Sequence, residues 1–149
     1  MLGKLTRWLR ILGHDVNYFR NVDDERLIEI AKSENRILLT RDRKLYKQAL
    51  IHGLDTILVE ETDKAGKLAN LAGQLSFTLE IDLSISRCPK CNARLHKVSK
   101  SEVVDEIPKA TSKYYDQFWK CWGCGQVYWQ GAHWKKIEKT LQEAKSKLG

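Results

Sequence analysis

Three observations across 149 residues predict an α/β body with a parallel sheet, followed by a small metal-stapled module. Apolar positions over residues 1–84 switch repeatedly between helical and strand spacing. The charge balance steps upward near residue 85, and all four cysteines lie beyond that step as two C-x-x-C pairs. Strands alternating with helices imply βαβ units joined by right-handed crossovers. With 42% hydrophobic and 30% charged residues and two prolines, the composition is that of a globular chain, not a disordered one. No run approaches the ~18 apolar residues of a membrane span, and Met1-Leu-Gly-Lys-Leu-Thr-Arg7 lacks the apolar core of a signal peptide. A soluble, cytoplasmic protein without a membrane partner is expected.

The elements follow in order. Leu2, Leu5, Trp8, Leu9 and Leu12 recur at spacings of three and four, which predicts an amphipathic helix ended by Gly13. Asp15-Val-Asn-Tyr-Phe19 alternates polar and apolar residues, as a short strand does. Asp23 or Asp24 then caps a helix carrying Leu27, Ile28 and Ala31 that ends near Asn35. Arg36-Ile-Leu-Leu-Thr40 is a compact apolar run suited to a strand covered on both faces. Leu45, Ala49 and Leu50 mark the next helix, with Gly53 as its stop. Asp55–Val59 reads as a strand and Lys67–Leu75 as a helix.

Residues 1–84 carry 13 Lys and Arg against 13 Asp and Glu, whereas residues 85–149 carry 13 against 6, so the whole net charge of +7 sits in the second part. Four of the five tryptophans sit there too. The division expected is an α/β domain over 1–84, a zinc ribbon over 85–136 and a C-terminal amphipathic helix over 137–149. Over Lys135–Leu148 the helical pattern places Ile137, Leu141, Ala144 and Leu148 on one side, and the five lysines of that stretch are read as a solvated face.

Chemistry in parallel sheets gathers where strands end at their carboxyl edge. Asp42 lies just past the most apolar strand, and Asp24 lies at the start of a helix that follows a strand. Carboxylates brought together there suit Mg²⁺ or Mn²⁺, which prefer oxygen ligands and keep waters for a phosphate substrate. The competing reading makes both acids helix caps, stabilising by about 1 kcal/mol each.

Cys88-Pro-Lys-Cys91 and Cys121-Trp-Gly-Cys124, separated by 29 residues, are the stronger signal. Paired knuckles present four thiolates tetrahedrally to Zn²⁺, with Pro89, Gly123 and Gly125 supplying the tight turns. Four protein ligands leave no open position, so this zinc is expected to be structural. Disulfides and a thioredoxin-type redox pair are the weaker alternatives. After the second knuckle, Trp129, His133, Trp134, Lys135 and Lys136 interleave rings with cations, the pattern that flexible single-stranded nucleic acid selects. The plainer alternative is that Tyr128, Trp129 and Trp134 pack over a small core.

Taken together, Leu2-Gly-Lys-Leu-x-x-Trp-Leu-Arg-x-Leu-Gly-x-Asp15, Asp24 before a helix, Leu38-Leu-Thr-Arg-Asp-Arg43 and the two knuckles resemble the Mut-seven-C ribonuclease domain family, a branch of the PIN-like nucleases. The resemblance covers residues 1 to about 136. It implies a PIN-like three-layer α/β/α sandwich, a divalent-metal carboxylate site that includes Asp24 and Asp42, and RNA as the substrate. Arg7, Arg10, Arg41 and Arg43 become candidates for phosphate contacts, and Asp23 is the substitute should Asp24 serve as the cap.

In that family a strand ending in a metal-binding aspartate precedes the Met-Leu-Gly segment. Here Met1 is the methionine of that segment, so apolar surface and unpaired strand edges are expected beside the sheet. A start assigned too late, or a sequence holding only the ordered part of a longer chain, is expected in preference to a genuinely shortened, weakly catalytic protein. The function expected is a metal-dependent ribonuclease whose ribbon grips RNA. A non-catalytic RNA- or ribosome-binding adaptor competes with it, and a DNA-directed nuclease is a third reading.

Overall fold

A computed structural model describes residues 2–148; Met1 lies outside them. Seven α-helices and five strands follow in order. α1 (Leu2–Ile11) buries Leu5 and Leu9, with Leu12 just beyond its end, and the chain leaves it through Gly13 at φ +102°, a left-handed conformation that favours glycine. α2 (Asp24–Ser33) begins after Asp23, whose carboxylate accepts from the backbone N–H of Arg26 at 2.8 Å. β1 (Leu38–Thr40), α3 (Arg43–Ile51) and β2 (Thr56–Leu58) form a βαβ unit. α4 (Lys64–Leu75) starts three residues earlier than its apolar spacing predicts, because Asp63 caps it through the N–H of Gly66 at 3.1 Å.

β1 and β2 pair in parallel, Leu38 with Thr56 and Thr40 with Leu58. Leu39 and Ile57 share one sheet face and pack with Leu5, Leu9, Leu68 and Leu71 of α1 and α4. Leu38 joins Ile28, Leu45 and Ala49 of α2 and α3 in a second cluster. Helices therefore lie against both faces of a small parallel sheet, and the α/β expectation holds.

The predicted strand at Asp15–Phe19 is not formed. Its alternation is genuine, but its backbone groups are taken by side chains rather than by a neighbouring strand. The carbonyl of Val16 accepts from Arg10 Nε at 3.0 Å and Nη2 at 2.8 Å, and the N–H of Val16 donates to Asn92 Oδ1 at 3.1 Å. A groove of about 740 Å³ runs along β1, between α1, this extended segment and α2, with Leu5, Val16, Ile30 and Leu39 among its walls. Tyr18, Phe19 and Ile37 beside it are exposed. Apolar surface thus lies next to the sheet.

The second module is a three-stranded antiparallel sheet in the order β3 (Leu95–Val98), β4 (Phe118–Cys121), β5 (Val127–Tyr128). The long segment between the knuckles holds β3 and then α5 (Lys100–Val103), a 3-10 turn at Val104–Glu106 and α6 (Lys109–Tyr114). Val98, Val103, Ile107, Phe118 and Val127 make its own small core. α7 (Trp134–Leu148) then returns to the body, where Ile137, Leu141 and Ala144 pack into the main core. Its lysines face outward, and Lys145 and Lys147 reach Glu80 and Asp63 at 3.5 and 3.8 Å. Among the described residues, no helix is long and apolar enough to cross a membrane.

Candidate metal centre and nucleic-acid interface

The first knuckle is a tight turn closed by its own backbone. Cys88 N–H donates to Ala93 O at 2.7 Å, and Asn92 N–H donates to Cys88 O at 2.8 Å. Asn92 sits at φ +75°, a left-handed position that asparagine tolerates better than most residues. In the second knuckle the N–H groups of Gly123 and Cys124 point at Cys121 Sγ, at 3.2 and 3.4 Å. A Cβ on Gly123 would stand 2.9 Å from Ala93 Cβ and 3.1 Å from Cys91 Sγ, so only glycine lets the two knuckles meet.

The four sulfurs converge, all within 4.8 Å of one another. Cys88 and Cys124 lie 3.7 Å apart, Cys91 and Cys121 3.4 Å apart. The edge of a tetrahedron of sulfurs around Zn²⁺ is about 3.8 Å for Zn–S bonds of about 2.3 Å, so the donor set fits such an ion. All four cysteines are free thiols, so the disulfide alternative falls away. A Cys91 thiol is lowered to about 7, chiefly by the N–H of Ala93, whereas burial pushes Cys121 up to about 12. Packing several thiolates so closely is unfavourable without a cation, and a bound divalent ion reverses that balance.

Sequence reasoning assigned Tyr128 only to packing. Its hydroxyl lies 3.0 Å from Cys88 Sγ, and burial, followed by the thiol beside it, raises its pKa, so it stays protonated and can donate to that sulfur once the thiol has lost its proton. Its signal in the sequence was a tyrosine four residues after the last cysteine, which is too common to weigh.

Asp42 stands at the sheet's carboxyl edge and Asp24 at the start of α2. Asp42 caps α3, and its Oδ1 accepts from Lys44 N–H at 2.8 Å and Leu45 N–H at 3.4 Å. Since Asp23 caps α2, Asp24 is the first helical residue and is not needed as a cap. The parallel register also brings Glu60, just past β2, to the edge where Asp42 follows β1. Sequence reasoning passed over Glu60 and Glu61, although acids directly after the second strand were the available signal. Arg43 pairs with Glu60 at 2.9 Å, Arg41 Nη1 donates to Glu61 O at 2.8 Å, and Asn70 holds the Glu61 carboxylate. Among the described residues the acids do not converge into a group of three; the cysteines are the one such group.

The basic and aromatic candidates separate by burial. Arg7, His133 and Lys135 are exposed, and Trp134 is half-buried at the start of α7. Trp129 packs against the ribbon core, its ring 6.2 Å from that of Phe118, with Gly131 between its indole and His133. Arg10 does not fit the role of a phosphate contact. It is 9% exposed, and its guanidinium donates to Val16 O twice and to Pro89 O at 2.9 Å. Arg87 N–H returns a bond to Arg10 O at 2.8 Å, and Asn92 Nδ2 donates to Asp15 at 2.6 Å. Arg10 and Asn92 thus join the first knuckle to the body.

An α/β body with acids at the end of its parallel strands, joined to a four-cysteine cluster that could hold a structural zinc, places the chain in the class of mixed α/β proteins with a candidate zinc module. Within that class the assignment is specific. The chain belongs to the Mut7-C RNAse domain family, whose model matches residues 1–141 and so takes in the body and all four cysteines. No curated protein and no solved structure matches it.

Proposed function

We propose that the chain is a metal-dependent ribonuclease that cleaves single-stranded RNA at the carboxyl edge of a PIN-like body, while a zinc ribbon grips the strand. The observation that carries this reading is a ribonuclease-domain match that runs through both parts of the chain. Asp42 and Asp24 are the carboxylates that would hold Mg²⁺ or Mn²⁺, with Glu60 the nearest further acid along the edge. One or two carboxylates suffice for such ions when a phosphate and waters complete the shell. When bound, the ion supplies a more acidic water and neutralises charge on the phosphate. The chain's own residues do the positioning. Backbone N–H groups of Lys44 and Leu45 fix the Asp42 carboxylate, and Arg7, Arg41 and Arg43 offer cations to the RNA backbone. Zn²⁺ on Cys88, Cys91, Cys121 and Cys124 is structural and leaves a module of about +5 formal charge. Lys135, His133 and the face of Trp134 extend the grip.

A second reading, a non-catalytic adaptor on RNA or on a ribonucleoprotein such as the ribosome, draws on the edge acids not forming a convergent triad. Incubating zinc-loaded protein with end-labelled single-stranded RNA across a Mn²⁺ titration separates the two. Cleavage rising with Mn²⁺ is expected. Binding that weakens steeply with salt, with no cleavage at any Mn²⁺ concentration, would favour the adaptor.

A further inference from the structure

Trp122 is the one exposed tryptophan among the described residues. It is 69% accessible, whereas Trp119 is 8% accessible and Trp129 packs against the core. Its ring is not loose. It stacks on His96 with centroids 3.5 Å apart and planes inclined by 18°. The backbone beneath is fixed on both sides, since Trp122 N–H donates to Arg94 O at 3.0 Å and Trp122 sits between the metal-centre residues Cys121 and Cys124. The imidazole is placed by that stack, because its buried Nδ1 has no hydrogen-bond partner among the described residues.

These rings stand on one face of the antiparallel sheet. His96 lies directly opposite Lys120, and Trp122 is two residues further along the same chain. With Val98 and Glu102 they line a cleft of about 490 Å³, which is room for one nucleotide. The cleft is not simply cationic. Lys120 is tied to Glu106 at 3.1 Å, and Glu102 adds a further carboxylate. A phosphate is therefore poorly matched to its interior, whereas the flat, neutral face of a base suits a rigid indole. Arg94, exposed next to the platform, lies where it can meet the flanking backbone.

We infer that Trp122, braced by His96, is a stacking platform for an unpaired base of single-stranded RNA, a positioning site on the ribbon separate from the sheet-edge acids. This rests on the RNA-gripping reading of the ribbon and adds to it the residue that receives a base. A braced ring has already lost its rotamer freedom, so ordering it on binding costs little. Because the contact is to a π-face, it takes any base and requires only that the base be unpaired.

The test uses the zinc-loaded full chain without Mn²⁺. A fluorescein-labelled 12-nucleotide single-stranded RNA and a blunt RNA duplex of the same length serve as probes, read by anisotropy. Trp122→Ala is expected to weaken single-strand binding by roughly 5- to 150-fold, the range for loss of one base–aromatic stack. Duplex binding should stay unchanged. Trp122→Phe should recover most of the loss, and His96→Ala should lose an intermediate amount. Quenching of tryptophan emission on adding the single strand should largely vanish in Trp122→Ala. Zinc stoichiometry of one in each variant confirms that the knuckle is intact. If the wild-type chain binds the single strand and Trp122→Ala binds it equally well, the platform is wrong while the ribbon's RNA grip stands. Equal losses on single strand and duplex would also overturn the platform. A wild-type chain that binds neither probe overturns the RNA-gripping reading itself.

Discussion

Removing zinc with a tight chelator is expected to unfold the module between residues 85 and 133 and to loosen the body with it. The module buries few apolar side chains: Val98, Val103, Ile107, Phe118 and Val127, with Leu95 and Trp119 beside the cysteines. A core this small does not usually hold a module of some fifty residues together without a staple. A structural Zn²⁺ site contributes on the order of 10–16 kcal/mol of apparent binding free energy, enough to decide whether such a module folds. The consequence reaches the body because Asn92 and Pro89, both in the first knuckle, bond to Val16, Asp15 and Arg10. Zinc binding must displace thiol protons, Cys121's among them at about 12, so affinity falls as pH falls and acid acts in the same direction as a chelator. Cys121→Ser should behave as the chelated protein does. Circular dichroism and tryptophan emission followed during chelation, with released zinc counted by a dye, check this. Unchanged spectra after release of one zinc per chain would contradict it.

Arg10→Ala is expected to destabilise the folded chain by about 2–4 kcal/mol, because two half-buried carbonyls, Val16 O and Pro89 O, lose a charged donor. For a chain of this length that lowers Tm by about 5–15 °C. Burial pulls the Arg10 guanidinium's pKa down, while the charges of Cys88, Cys91 and Asp15 nearby pull it back up. Arg10→Lys should recover only part of the loss, since one ammonium lacks the fork that spans both carbonyls. Thermal melts of the zinc-loaded variants measure this. A shift of under 2 °C for Arg10→Ala would show that the joint between body and knuckle contributes little.

The cysteine quartet and Arg10 mark where the sequence could and could not be read. The cysteine quartet was legible because its ligands come in two local pairs and each turn carries its glycine or proline. The stripe of α1, the βαβ unit and the apolar side of α7 were legible because burial follows their periodicity. Asp15–Phe19 misled because alternation reports which side chains face inward and says nothing about where backbone N–H and C=O groups find partners. Those partners include Asn92, 76 residues away from Val16. Arg10 misled for the same reason, since an arginine on a helix in sequence gives no sign that its head is buried under a loop. Trp122 and Trp129 are alike in composition and neighbourhood. Only the fold shows that one packs and the other stands open.

The division of labour between body and ribbon meets its sharpest test at Asp42. Asparagine caps helices as well as aspartate does, and its Oδ1 can accept from the N–H groups of Lys44 and Leu45, so Asp42→Asn removes the charge without removing the cap. The decisive measurement is the Mn²⁺-dependent cleavage rate of single-stranded RNA by zinc-loaded Asp42→Asn, with RNA affinity measured alongside. The expected result is a rate at least roughly 100-fold below wild type, as for loss of a group that stabilises the transition state, with Tm and RNA affinity retained. Cleavage at the wild-type rate would contradict the assignment of the chemistry to this sheet edge.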